Sequence, residues 1–129
     1  MAAVMSKPFE VEMRGHVAAL WLANPDRKNA MGPEFFEELP SVVASLDADE
    51  NVRAVVLAAR GTAFSSGLDL MRMAGAMGPA LTTGGLAADR NALFRKIAEM
   101  RRGFDAIVES NKPFVAAVHG WCIGGGLDL

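Results

Sequence analysis

Two apolar runs end the same way. Val52 to Ala59 breaks into Arg60-Gly61-Thr62 and then Ser66-Gly67-Leu68-Asp69-Leu70. Phe114 to Val118 breaks into His119-Gly120 and then Gly125-Gly126-Leu127-Asp128-Leu129. Short, nearly uninterrupted apolar runs read as strands buried on both faces, which is how parallel sheets are built. The segment between them carries the helical spacing of Leu93, Phe94, Ile97, Met100, Phe104, Ile107 and Val108, so a helix is expected over Leu86 to Ser110. Strand, helix, strand in that order predicts an α/β fold with the two strands parallel.

The rest of the chain fits that class. Phe9 to Arg14 and His16 to Leu22 alternate about Gly15, a hairpin signature. Asn24-Pro25-Asp26 makes a loop. Pro33 suits a first helical position, with Glu34, Glu37 and Glu38 near the positive end and Phe35, Phe36, Leu39, Val42, Val43 and Leu46 as the buried stripe. Pro40 interrupts that stripe, so a kink or two short helices are expected. Met71 to Gly85 is rich in Gly, Ala and Met, with little charge, and reads as a long connection. Gly103 should weaken its helix by roughly 1 kcal/mol relative to Ala.

Bulk properties narrow the function. A chain of 129 residues can bury one core. A net charge of −2 gives no reason to expect nucleic acid or an anionic membrane surface as partner. One cysteine, Cys122, excludes an internal disulfide framework and fits a reducing compartment. No run reaches transmembrane length, and Met1 to Phe9 lacks the layout of a secretory signal, so the expected location is cytoplasmic.

The chemistry should gather where the twin turns emerge. In open α/β sheets ligands collect at the carboxyl ends of strands. Glycine turns let backbone N–H groups approach a ligand closely. Two such turns side by side could aim one N–H each at a single oxygen, an oxyanion hole. The glycines could instead only permit close packing of helix on strand, and physics alone leaves the two readings level. Ser65 and Ser66 lack the Gly-x-Ser-x-Gly elbow of hydrolases, and there is no P-loop or dinucleotide fingerprint. His16 and His119 have no partner at metal spacing, so no metal is expected and His119 reads as a packed strand-end residue. Cys122 reads as an apolar filler.

Three stretches together resemble the enoyl-CoA hydratase/isomerase, or crotonase, superfamily: Asn24-Pro25-Asp26-Arg27-Lys28-Asn29-Ala30-Met31, Val55 to Leu70, and Lys112 to Leu129. The resemblance implies a spiral of β-β-α units assembled as trimers or hexamers. It implies an acyl-coenzyme A thioester as substrate, with coenzyme A carried by the substrate and no separate cofactor. It places the enolate oxygen between the N–H groups of Leu68 and Gly125. It lines the coenzyme A cleft with Arg27, Lys28 and Ala30, sets the backbone of Ala63, Ser65 and Ser66 against the adenine, and includes Gly67, Asp69, Leu70 and Met71 in the same binding region, with Asp69 supporting its turn. Hydratases of the superfamily carry glutamate where this chain has Asp128. Asp128, with Ser66-Gly67-Leu68-Asp69-Leu70-Met71 and His119-Gly120-Trp121-Cys122-Ile123, resembles instead the Δ3,5-Δ2,4-dienoyl-CoA isomerases. In that subgroup two further carboxylates, later in the chain, move the proton. The expectation is therefore that residues 1–129 form the N-terminal part of such a domain, with isomerisation of a 3,5-dienoyl-CoA as the activity. An enoyl-CoA hydratase, or a non-catalytic acyl-CoA-binding fragment, are the alternatives.

Overall fold

The computed structural model describes residues 7–78 and 86–129. Its elements are β1 (Phe9–Arg14), β2 (Val17–Leu22), α1 (Pro33–Ala48), β3 (Ala54–Ala59), α2 (Leu70–Met77), α3 (Ala87–Glu109), β4 (Phe114–Ala116) and the single turn α4 (Gly125–Asp128). A 3-10 turn at Pro25–Arg27 follows β2.

The sheet runs β1-β2-β3-β4. β1 and β2 form the expected hairpin, with Phe9 opposite Leu22 and Gly15 at the left-handed φ of 61° in the turn. β2 pairs in parallel with β3, and β3 with β4, setting Leu20 beside Leu57 and Leu57 beside Ala116. The α/β architecture with parallel central strands is therefore as the sequence predicts.

One apolar core lies between sheet and α1. Leu20, Leu22, Val55 and Leu57 meet Phe35, Phe36, Leu39, Val43 and Leu46. Phe35 bridges the layers, its ring 4.9 Å from Phe9 and 5.2 Å from Phe36. Pro40 lies within α1, which runs through it as one helix rather than as the two short helices that were the alternative to a kink. Five buried side chains explain the persistence. Each contributes about 1.5–3 kcal/mol on burial, against the roughly 3 kcal/mol that an interior proline costs.

α3 shows why a glycine sits in its middle. Gly103 is its one buried residue, and a Cβ there would fall 2.8 Å from Leu39 Cδ2. The missing side chain lets α3 lie close on α1, which outweighs its poor helix propensity.

Three expectations are corrected. The predicted stripe of α3 is only partly covered: Met100, Phe104 and Ile107 pack on the core, whereas Phe94 is 73% exposed and Val108 84% exposed. β4 is not buried, since it is the outer strand of the sheet and Val115 remains 60% exposed. The stretch read as a connection begins with α2; of that reading, 79–85 lie outside the described residues, as do 1–6.

Candidate active site

β3 and β4 are parallel neighbours, so their carboxyl ends lie side by side. The chains leaving them stay together. Phe64 N–H donates to the His119 carbonyl, Ser65 N–H to the Trp121 carbonyl, and Ile123 N–H returns to the Ser65 carbonyl at 3.1 Å. This parallel pairing carries both glycine turns to the same place. Gly67 sits at φ 86°, and a Cβ on it would fall 2.8 Å from the Ile123 oxygen and 3.5 Å from the Gly125 nitrogen. The turns are in direct backbone contact, which only glycine at position 67 permits.

The hydrogen bonds around the turns single out two amides. Gly67 N–H donates to Ser65 Oγ, Asp69 N–H to the Met31 carbonyl, Gly126 N–H to the Ile123 carbonyl and Leu127 N–H to the Gly124 carbonyl. Among the described residues the Leu68 and Gly125 N–H groups make none. For Leu68 the reason is visible. Met31 N–H bonds the Gly67 carbonyl and Asp69 N–H bonds Met31, so a parallel bridge flanks Leu68 and turns its own N–H away.

Seven of the residues named from the sequence line one open groove of about 480 Å³: Arg27, Lys28, Ala30, Leu68, Asp69, Leu70 and Met71. Leu70 and Met71 are exposed at its rim. The remaining candidates lie elsewhere. Ala63 and Ser65 are buried, Gly67 is buried at the turn, and Ser66 is half-buried with its N–H donated to the Lys28 carbonyl. Asp128 is exposed in α4 and forms no ion pair among the described residues. A second hollow of about 320 Å³, lined by Phe36, Pro40, Met73 and Met100 among others, contains no candidate site residue.

Asp69 supports its turn as expected. It is 7% exposed, and Oδ1 accepts from Arg72 N–H, capping α2. Oδ2 stands 2.6 Å from the Arg27 guanidinium. That approach lacks hydrogen-bond alignment, so Oδ2 counts as unbonded by direction, but at this separation the charge attraction governs. α2 is further tied to α1 by the ion pair of Arg72 with Glu34. Burial pushes the Glu34 carboxyl up, yet the hydrogen bonds and charge of Arg72 and its own backbone outweigh this and hold it below the usual value.

With Arg27 engaged by Asp69, Lys28 is the cation on the groove wall without an ion pair among the described residues. Its ammonium lies 4.2 Å from the centre of the Trp121 ring, linking the groove to the second turn. His119 is exposed rather than packed, with Nε2 2.8 Å from the Gly61 carbonyl. Cys122 Sγ contacts the Gly126 carbonyl and packs against the core.

Asn29 was not singled out by the sequence reasoning. It is buried at φ 52°, its Nδ2 donates to the carbonyls of Arg60 and Ala63 at 2.9 Å each, and its Oδ1 accepts from Asn24 N–H. Asn tolerates the left-handed region better than most residues, and that was the only signal available. Among the described residues no cluster of His, Cys, Asp or Glu could hold a metal, and no helix is long and apolar enough to cross a membrane.

This mixed α/β sheet with flanking helices matches the fold of solved enoyl-CoA hydratase/isomerase, or crotonase, proteins. The chain belongs to the enoyl-CoA hydratase/isomerase family, whose sequence profile matches residues 12–129. It is 38% identical over 116 residues to the mitochondrial Delta(3,5)-Delta(2,4)-dienoyl-CoA isomerase of Mus musculus, covering 88% of this chain and 35% of that protein. It is 40% identical over 116 residues to a Thermus thermophilus protein provisionally named an enoyl-CoA hydratase, covering 90% of this chain and 42% of that one. An enoyl-CoA hydratase/isomerase structure from Marinobacter aquaeolei superposes with a TM-score of 0.80 at 28% identity, over 96% of this chain and 46% of the other. The chain thus spans less than half the length of these relatives.

Proposed function

We propose that this chain supplies the thioester-holding portion of an acyl-CoA enzyme that converts a 3,5-dienoyl-CoA to its 2,4-isomer. The observation that carries the reading is the pair of unbonded amides, Leu68 and Gly125, on touching turns beside the groove. Negative charge develops on the thioester oxygen when a proton leaves the carbon next to it. Two N–H donors already in place would stabilise that enolate without reorganising water. The double bonds then shift by loss of a proton at C2 and gain of one at C6, so the reaction needs proton carriers and no redox group.

Asp128, one turn beyond Gly125, joins the acid/base group in this reading. Arg27, Lys28 and Ala30 border the coenzyme A portion, with Lys28 as a point charge for phosphate. The adenine lies over the half-buried Ser66 in this reading, with Ala63 and Ser65 buried behind it. The relatives named as dienoyl-CoA isomerases support the choice of reaction. Their mitochondrial and peroxisomal names stand beside cytoplasm as locations for fatty-acyl oxidation. The intact enzyme is a trimer or hexamer in this reading, taking neither nucleic acid nor membrane as partner.

Hydration of a 2-enoyl-CoA is the competing reading, favoured by the Thermus relative. A non-catalytic acyl-CoA-binding role is the third, favoured by the exposure of Asp128. Assay of the full-length protein separates them. Conversion of a 3,5-dienoyl-CoA to the longer-wavelength 2,4-dienoyl chromophore is expected to be its fastest reaction. Faster water addition to 2-enoyl-CoA would replace isomerase by hydratase, and tight binding with neither turnover would leave only the binding role.

A further inference from the structure

One buried serine is tied, through its hydroxyl and its backbone, to both glycine turns and to the Asn29 loop. Ser65 is fully buried. Its Oγ donates to the Asn29 carbonyl at 2.8 Å and accepts from Gly67 N–H at 3.1 Å. Its N–H and carbonyl pair with Trp121 and Ile123 of the second turn. Its Cβ is where a side chain on Gly126 would collide, at 2.8 Å. Asn29, which receives the hydroxyl proton, is itself clamped to Arg60, Ala63 and Asn24.

The geometry points to Ser65 as the positioning residue that aligns the Leu68 and Gly125 amides on one acceptor atom. This rests on the enolate-stabilising reading above. The Gly67 N–H that Ser65 Oγ holds belongs to the peptide immediately before the one that presents the Leu68 N–H, so the hydroxyl fixes the rotation of the turn. The Ser65 backbone fixes the distance to the second turn through Ile123. The hydroxyl has no other task among the described residues, since it is sealed from the groove and faces carbonyl and amide on both sides. Deleting it leaves two buried backbone groups without their partner, and the turn must rotate to find others. Donors held to within a fraction of an ångström of the oxyanion lose their effect when they shift, and a displacement of about 1 Å can cost 10²-fold in rate.

The test uses Ser65→Ala in the full-length enzyme, alone and combined with Gly125→Pro, with Gly125→Ala as the reference that retains the amide. Ser65→Ala is expected to lower kcat by about 10- to 100-fold while KM for the acyl-CoA stays within about threefold. In the Gly125→Pro background, where one donor is already gone, the same change should lower kcat only slightly further, although its effect on thermal stability should persist. A merely structural serine would lower stability equally in both backgrounds and leave kcat of the single variant near normal; that result overturns the inference while the enolate reading stands. If Gly125→Pro turns over as fast as Gly125→Ala, the enolate reading itself fails and takes this one with it. Should Ser65→Ala fail to fold, Ser65→Cys fills the same volume with a weak acceptor and is judged by the same kcat criterion.

Discussion

Replacing Gly125 by proline exchanges one amide hydrogen for a ring methylene. Gly125 opens α4, a first helical position, where proline's fixed φ is accommodated. The preceding residue, Gly124, sits at φ 53° and ψ −124°, the mirror image of the extended conformation that a residue before proline prefers, and glycine occupies either hand equally. The proline Cβ would fall 2.9 Å from Met31 Sδ. Gly125→Ala brings the same Cβ and keeps the N–H, and a methionine sulfur is flexible enough to move for both. The ratio of the two variants therefore reports the lost donor together with the ring methylene that takes its place. Loss of one such donor is worth roughly 10²–10³ in kcat, about 3–4 kcal/mol. The assay is steady-state turnover of a 3,5-dienoyl-CoA by the full-length enzyme, with circular dichroism and a melting curve to confirm equal folding. Equal kcat for the proline and alanine variants would refute the assignment of Gly125 to the enolate.

Asp128→Asn should slow turnover more than it weakens acyl-CoA binding, read as a fall in kcat at nearly constant dissociation constant; an equal loss in both would make Asp128 a support of the pocket instead. Lys28→Met should weaken acyl-CoA binding by about two- to fivefold and reduce its salt dependence with kcat unchanged, because an exposed charge contact is worth under about 1 kcal/mol; titration at two ionic strengths checks this. Acid should destabilise the fold through Glu34 and Asp47. Both carboxyls are held below their usual range, Asp47 first by the hydrogen bond from Ser110, which with the Asn111 bonds and the Lys112 charge outweighs the opposing effect of burial. Their contribution is complete above the unfolded-state value and is lost as pH falls through the lower folded one, so the melting temperature should drop below about pH 4.5 and should drop less in Glu34→Gln.

What the sequence made legible was periodic or local. The hairpin, the parallel pairing of β3 with β4 and the bounds of α3 followed from spacing that any core would impose. Where the reading failed, a distant contact had decided the matter. Pro40 argued for a break, and the buried phenylalanines of α1 overrode it. Gly103 argued only for a weak helix, and its purpose appears when Leu39, far away in the chain, arrives beside it. The apolar run of β4 could not disclose that it would lie at the edge of the sheet. Asn29 was invisible for the same reason, since the carbonyls it holds are more than thirty residues away.

The twin Leu-Asp-Leu segments show how far such a likeness can be carried. Their settings are comparable: each follows a parallel strand, each is preceded by glycine, and the two turns abut, although Leu68 bridges Met31 ahead of α2 whereas Leu127 and Asp128 lie inside α4. Their carboxylates are not. Asp69 is buried, caps α2 and faces Arg27, so its charge is committed to holding the groove wall. Asp128 is exposed and uncommitted among the described residues. A group that exchanges protons must be free to change its charge without dismantling its surroundings. On that criterion only the second carboxylate is available for chemistry. The two readings of the glycines also merge. Close packing of the turns is compatible with the proposed cradle for an oxyanion, because the contact that Gly67 permits also brings the neighbourhoods of the Leu68 and Gly125 amides together.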